Sequence, residues 1–337
     1  MENSSDPLTL LVTHADVVRL LPMPRCIDLM EGVLRALANG EATLPLRTVI
    51  PLPANRGMFA SMPAVLHQPD AIGIKVITVY PGNDGTAYDS HQGAVLLFEP
   101  DHGRLVAVMD ASSITAIRTA AVSGLATRLL AQPDASELAI LGSGVQASTH
   151  LEAMRAVRPI ARVRVWSRHR PHADAFAARE STRHGVRLDV MSSAREAVAG
   201  AQIICTTTSA REPVLFGDWL EPGMHINAVG ASTRASRELD GEAVRRSTLF
   251  VDRRESALNE AGDFLLARAE GLIADDHIAG ELGDVALGRL AGRSAAREIT
   301  LFKSLGLAVE DVAAAHHIHA AAHGDDRLAR VTLGGRR

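Results

Sequence analysis

The stretch ELAILGSGVQAS, residues 137–148, decides the fold. An apolar run at 137–141 enters Gly142, Gly144 and Ala147 in a G-x-G-x-x-A spacing, and a helical pattern through HLEAMRAV (150–157) follows. In a strand-turn-helix, each small residue has a mechanical task. Gly142 allows a tight turn, Gly144 lets backbone approach a pyrophosphate, and Ala147 lets helix pack close to strand, with the anion on the helix N-terminus. Gly142, Ser143, Gly144, Val145, Gln146 and Ala147 therefore read as a cofactor-binding turn.

Outward from this turn, strands and helices alternate. RVRVWS (162–167) is a second strand and HADAFAARE (172–180) a helix; LDVM (188–191), the helix SAREAVAG (193–200), and the strands AQIICTTT (201–208), HINAVG (225–230) and TLFVD (248–252) follow. Repeated β-α-β units predict an α/β domain, a Rossmann-type doubly wound parallel sheet. The end of the second strand selects the dinucleotide. In VRVWSRHR (163–170) Ser167 stands where NAD enzymes keep an acid for the ribose 2′-hydroxyl, and Arg168, with His169 or Arg170 behind it, suits a 2′-phosphate. NADPH/NADP is expected over NADH.

The first 110 residues carry a different pattern. A helix near CIDLMEGVLRALANG (26–40) precedes strands at LRTVIPLP (46–53), GMFASMPAVL (57–66), AIGIKVITVY (71–80), GAVLLFEP (93–100) and GRLVAVMD (103–110), with DHG (101–103) as a hairpin turn. This predicts an α+β substrate-binding and dimerisation domain with an antiparallel sheet. A long helix from about Ser112 to Ala131 leads out of it, and LAVEDVAAAHHIHAAA (307–322) is a helix that returns to it. The expected division is 1–122 with 309–337 for the substrate domain and 123–308 for the NAD(P)-binding domain.

Length and composition agree with two domains. The chain has 337 residues, 47% hydrophobic and 22% charged, and no apolar run approaches the ~20 residues of a membrane span. A net charge of −4 offers no basic field for nucleic acid. The segment MENSSDPLTLLVTHADVV (1–18) lacks a secretory pattern, so the cytoplasm is the expected compartment. Cys26 and Cys205 lie far apart without metal-like spacing and read as small buried hydrophobes. No metal is expected.

Of 35 basic residues only Lys75 and Lys303 are lysines. In a chain that otherwise uses arginine, a lysine draws notice because burial shifts its pKa, whereas two chance survivors at the surface are the plain alternative. Lys75 sits in the apolar strand GIKVITV, where a cation is costly and could donate a proton near neutral pH. Arg118 shares a helical face with Ile114, Val122, Leu125 and Leu129, so its guanidinium needs an anion: a substrate carboxylate or an internal ion pair. Arg47, in the strand PLRTVIPL, and His91, ahead of the strand GAVLLFEP, are further candidates; His316, His317 and His319 read as a solvated face. The loops near Met58, Tyr80 and Tyr88 shape the pocket.

With these residues located, the chain resembles the ornithine cyclodeaminase and mu-crystallin family over nearly its whole length. The resemblance is carried by KVITVYPG (75–82), the segment 90–131, LGSGVQA (141–147), EPVLFGDWLEPGMHINAVGASTRASRELD (212–240) and ITLFKSLGLAVEDVAAA (299–315), and is nearest to the mu-crystallin branch of NADPH-dependent ketimine reductases. It implies a homodimer built by the antiparallel domain, and a small amino- or imino-acid substrate facing the nicotinamide between domains. It implies that Arg47, Lys75 and Arg118 form the substrate-carboxylate group. It also implies that Thr206, Thr207, Thr208, Val229, Phe302, Lys303 and Ser304 line the cofactor, beside Ser167, Arg168 and His169. One position departs: ornithine cyclodeaminases carry an Asp where this chain has Ser232, and a hydroxyl cannot serve as that base. The expected activity is reduction of a cyclic or small α-imino acid. Lys75, Arg118 and His91 are its candidate catalytic groups, and Arg47, Lys75, Arg118, Met58 and Ser232 its substrate contacts. The alternatives are an NAD-dependent amino-acid dehydrogenase or cyclodeaminase, and a non-catalytic nucleotide-binding relative.

Overall fold

The computed structural model describes residues 8–83 and 86–333; the first seven residues of the amino-terminal segment and the last four lie outside them. The chain divides into two compact units, one running up to Arg118 and resumed from Leu307, the other Thr119–Gly306.

The first unit holds an eight-stranded sheet in the order Ala329–Thr332, Leu8–Val12, Leu105–Asp110, His91–Phe98, Asp70–Val79, Met58–His67 and Ala42–Thr43, with Thr48–Pro51 also on Met58–His67. The antiparallel expectation needs one correction. Leu8–Val12 runs parallel to Leu105–Asp110, so the sheet is mixed, and this strand and Ala329–Thr332 lie outside the sequence expectation. The turn after His91–Phe98 closes because the Glu99 carboxylate accepts the N–H groups of Asp101, His102 and Arg104, with Gly103 at φ +69°.

Alternation sets which face is covered. Ala60, Met62, Ala64 and Leu66 point inward along one strand and Lys75, Val95 and Met109 follow Met62 across the sheet in register. That face packs under helix Ala308–Ala321, and helix Met23–Ala38 lies against that helix and the edge strand Ala42–Thr43. Ile27, Met30 and Leu34 are fully buried there, each contributing about 1.5–3 kcal/mol. At Gly73 a side chain would collide with Val312, its Cβ only 2.8 Å from a Val312 methyl. The small residue lets the C-terminal helix come down onto the strand that carries Lys75.

The second unit is the expected doubly wound domain. Its eight parallel strands run in the order Leu188–Val190, Arg162–Trp166, Glu137–Leu141, Ile203–Thr206, His225–Ala228, Thr300–Lys303, Thr248–Val251 and Ile278–Glu281. The order reverses between Glu137–Leu141 and Ile203–Thr206, where such sheets bind ligands. Leu141, Ile204, Leu215, Ile226, Leu249 and Phe264 belong to one buried core. Cys26 and Cys205 are buried free thiols, as expected. Among the described residues no helix is long and apolar enough to cross a membrane.

Candidate functional site

In the second unit, the glycine-rich turn has the geometry its sequence calls for. Gly142 sits at φ +124°, and a Cβ there would lie 2.7 Å from both the carbonyl oxygen and Oγ1 of Thr207. Its N–H donates to the Trp166 carbonyl at 2.8 Å, so the first and second strands are tied at the turn. Gly144 caps helix Val145–Val157 without any side-chain cap, and a Cβ built on it meets nothing within 4 Å. The helix therefore presents unsatisfied amide donors toward open space, which fits a dinucleotide pyrophosphate. Ala147 is fully buried against the sheet.

The other predicted cofactor positions cluster at the same carboxyl edge. Ser143 Oγ donates to Ser167 Oγ at 3.1 Å. Arg168 and His169 are exposed just beyond the second strand, and Arg168 has no hydrogen-bond or ion-pair partner among the described residues. The Thr207 hydroxyl donates to the Leu141 carbonyl at 3.2 Å, and the N–H groups of Val229 and Ser304 return to the neighbouring strands at 3.0 Å each. Phe302 is fully buried in the sheet, and Lys303 is 1% exposed. The Lys303 ammonium turns to Asp263, 2.9 Å away, and donates to the Ala228 carbonyl at 3.3 Å.

Two acids behind this edge were not singled out by the sequence. Glu238, fully buried, accepts from Thr206 Oγ1 and Thr208 Oγ1 at 2.7 Å and from the N–H groups of Thr208 and Gly230 at 2.6 Å. One carboxylate thus fastens the loops that follow two adjacent strands. Burial and the neighbouring Asp263 push the Glu238 carboxyl up, against the pull of Lys303. Asp263 in turn accepts the N–H groups of Glu238 and Leu239 at 2.7 and 3.0 Å. Neither acid stands in a pattern that sequence periodicity marks.

The first unit contains the cationic group. Lys75 is 1% and Arg118 3% exposed, which disposes of surface survival as the explanation for Lys75. Lys75 Nζ lies 2.8 Å from Asp311 Oδ2 and donates to Thr115 Oγ1 at 3.3 Å. Arg118 donates through Nε to Asp311 Oδ1 at 2.9 Å and through Nη1 to Glu310 Oε2 at 2.5 Å. The two acids occupy the first turn of helix Ala308–Ala321, where the helix dipole favours them. Both open alternatives for Arg118 start from an anion, and an internal one is present. Two cations and two carboxylates balance one another, and the charge of Arg47 also reaches Lys75. Burial first, then Arg118, pushes the Lys75 pKa down to about 8, with Asp311 pulling the other way.

The remaining candidates spread around this cluster. Arg47 is half-buried and immediately precedes the strand Thr48–Pro51 rather than lying within it. His91 begins the strand His91–Phe98 instead of preceding it; its Nδ1 is 3.0 Å from Ser90 Oγ. His91 is at the surface, yet dense surroundings and the Lys75 charge lower its pKa. Met58, Val79 and His91 form one cross-strand row. Tyr88 and Ser232 are exposed, and Ser232 belongs to the second unit. His316, His317 and His319 are half-buried rather than solvated, and burial lowers each of them.

Comparison with known proteins follows the same lines. The model of the ornithine cyclodeaminase/mu-crystallin family matches residues 8–326. The chain is 47% identical over 290 residues to the ketimine reductase mu-crystallin of Mus musculus, covering 84% of this chain and 88% of that one. The structure of Thermococcus litoralis Δ1-pyrroline-2-carboxylate reductase in complex with NADH and L-proline superimposes with a TM-score of 0.92 at 40% identity, over 94% of this chain and 98% of that one. An archaeal alanine dehydrogenase dimer with bound NAD superimposes with a TM-score of 0.91 at 31% identity, over 97% of this chain and all (100%) of that one.

Proposed function

The chain belongs to the ornithine cyclodeaminase/mu-crystallin family, and from that premise we propose that it reduces the C=N bond of a cyclic α-imino acid of the pyrroline- or piperideine-2-carboxylate type, with NADPH preferred over NADH. It is an oxidoreductase, an imine reductase by kinship. The observation that carries the proposal is the buried Lys75 ammonium, held by Asp311 and brought to a pKa of about 8. It is a proton source matched to neutral pH.

The Gly142–Ala147 turn would hold a reduced nicotinamide nucleotide, which would supply a hydride for the imine carbon. Arg47 and Arg118 hold the substrate carboxylate and set the imine's orientation, an effect of positioning. Lys75, with His91 beside its strand end, keeps the imine nitrogen protonated, which makes the carbon more electrophilic. The nitrogen thus keeps one proton, the carbon gains the hydride, and the product is the L-amino or cyclic imino acid. The NADPH preference is supported by exposed Arg168 and by Ser167 in place of an acid. Ser232 supports reduction over cyclodeamination, since no carboxylate stands there to act as base.

A homodimer is part of the proposal. The sheet face of the first unit opposite its helices carries Ile50, Phe59, Ile72, Ile74, Val76 and Leu96, all exposed or half-buried, an apolar surface suited to a second copy. The alanine dehydrogenase likeness favours one rival, oxidative deamination of an L-amino acid with NAD. The test is nicotinamide oxidation with Δ1-pyrroline-2-carboxylate, Δ1-piperideine-2-carboxylate, and pyruvate plus methylamine, NADPH beside NADH. Cyclic imine turnover with NADPH ahead supports the proposal; turnover of L-alanine with NAD and none of the imines supports the rival.

A further inference from the structure

The Lys75–Asp311–Arg118 contact is more than an ion pair in a core. Lys75 comes from the strand Asp70–Val79, Arg118 from the helix Ala111–Leu130 and Asp311 from the helix Ala308–Ala321, yet the two oxygens of one carboxylate meet both cations, at 2.8 and 2.9 Å. Glu310 bonds Arg118 at 2.5 Å, and Asp311 is the ion-pair partner of Lys75 among the described residues.

We propose that Asp311 is the positioning residue of this site: its shared carboxylate fixes Lys75 and Arg118 in a single geometry and keeps the Lys75 amine in its ammonium form for the imine nitrogen. This rests on the imine-reducing function argued above. Removing the carboxylate would take away the ion-pair partner of Lys75 and leave it facing Arg118 and Arg47, with Glu310 bonded to Arg118, and a buried cation that loses its counter-charge sheds its proton. The groups facing Lys75 are Arg118 and Thr115 on the helix Ala111–Leu130, Asp311 on the C-terminal helix, Arg47 ahead of the strand Thr48–Pro51, and His91 at the head of the neighbouring strand. Among these groups Asp311 alone raises the Lys75 pKa.

The chain offers a direct readout. Lys75 and Lys303 are its two lysines, so protein labelled with 13C at lysine Cε gives two side-chain signals. In the wild type the Lys75 signal is expected to titrate near pH 8. Asp311→Asn is expected to move that midpoint down by roughly one pH unit or more, a tenfold or greater loss of proton affinity, and the basic limb of kcat/KM moves down with it. Asp311→Glu restores both toward the wild type. The resonance of Lys303, paired with Asp263 in the other unit, keeps its wild-type position in the spectrum of a folded variant and serves as the control for an intact fold. If Asp311→Asn does not fold, Arg118→Gln reads the same carboxylate from the other side: with the opposing Arg118 charge gone and the carboxylate left to Lys75, the midpoint rises. A Lys75 midpoint that stays put in Asp311→Asn, a midpoint that falls in Arg118→Gln, or a basic limb that does not follow the signal overturns the proposal. Absence of imine turnover in the wild type refutes the function instead, and the titration separates the two failures.

Discussion

His150 sets an acid limit on the second unit, Thr119–Gly306. Its ring is fully buried, with Nδ1 2.7 Å from the Gln146 carbonyl and Nε2 2.9 Å from Ser123 Oγ, and burial pushes its pKa from 6.5 down to about 4. A base whose folded pKa is depressed leaves stability intact above its unfolded pKa and withdraws it as pH falls toward the folded value, because the unfolded chain takes up the proton first. At pH 5 the unfolded ring is almost fully protonated and the folded ring scarcely so, a difference of about 1.5 decades, or about 2 kcal/mol at 1.36 kcal/mol per decade. Both tryptophans, Trp166 and Trp219, lie in this unit, so their fluorescence follows its unfolding in urea. Other groups titrate over the same range, and the comparison that isolates the ring is wild type against His150→Gln. Between pH 8 and pH 5 the wild type loses about 2 kcal/mol more than the variant. Equal losses in the two proteins would show that the ring titrates in the folded state and refute the assignment.

Three further outcomes concern the site. Gly142→Ala forces a side chain into Thr207 at a φ of +124°, strain of about 1–3 kcal/mol, and is expected to weaken nicotinamide nucleotide binding roughly tenfold or more in a fluorescence titration; unchanged affinity places the nucleotide elsewhere. Arg168→Ala raises the KM for NADPH roughly 10- to 100-fold, the worth of one charge-assisted contact, and leaves that for NADH near its starting value; an equal change in both removes Arg168 from cofactor selection. Lys75→Met lowers kcat by about 10²- to 10⁴-fold, the usual share of a positioned proton donor, with the circular dichroism spectrum kept; full kcat and KM would end that role.

The glycine-rich turn was legible because its information is local. Strand, Gly142, Gly144, Ala147 and helix stand within twelve residues, and each small residue answers a steric demand made by its neighbours. The strands Thr300–Lys303 and Ile278–Glu281 were not read from the sequence, because pairing in a parallel sheet is set far along the chain: Thr300–Lys303 inserts between His225–Ala228 and Thr248–Val251. The same non-locality hid the carboxylates. Lys75 and Arg118 were visible as cations in apolar surroundings, but their partners Glu310 and Asp311 come about 190 residues later than Arg118 and read, in sequence, as ordinary acids in a helix's first turn. Glu238 was hidden likewise, its hydrogen bonds reaching back to the loop at Thr206 and Thr208. Sequence spacing marks residues that satisfy one another nearby, and is silent on buried charges matched across the fold.

The most direct test of the imine-reducing function is NADPH consumption by the purified protein with Δ1-pyrroline-2-carboxylate and Δ1-piperideine-2-carboxylate, NADH run beside it. Turnover of at least one cyclic imine, with a higher kcat/KM for NADPH and L-proline or L-pipecolate as product, is the predicted result. Tight nucleotide binding with no turnover of either imine would contradict it.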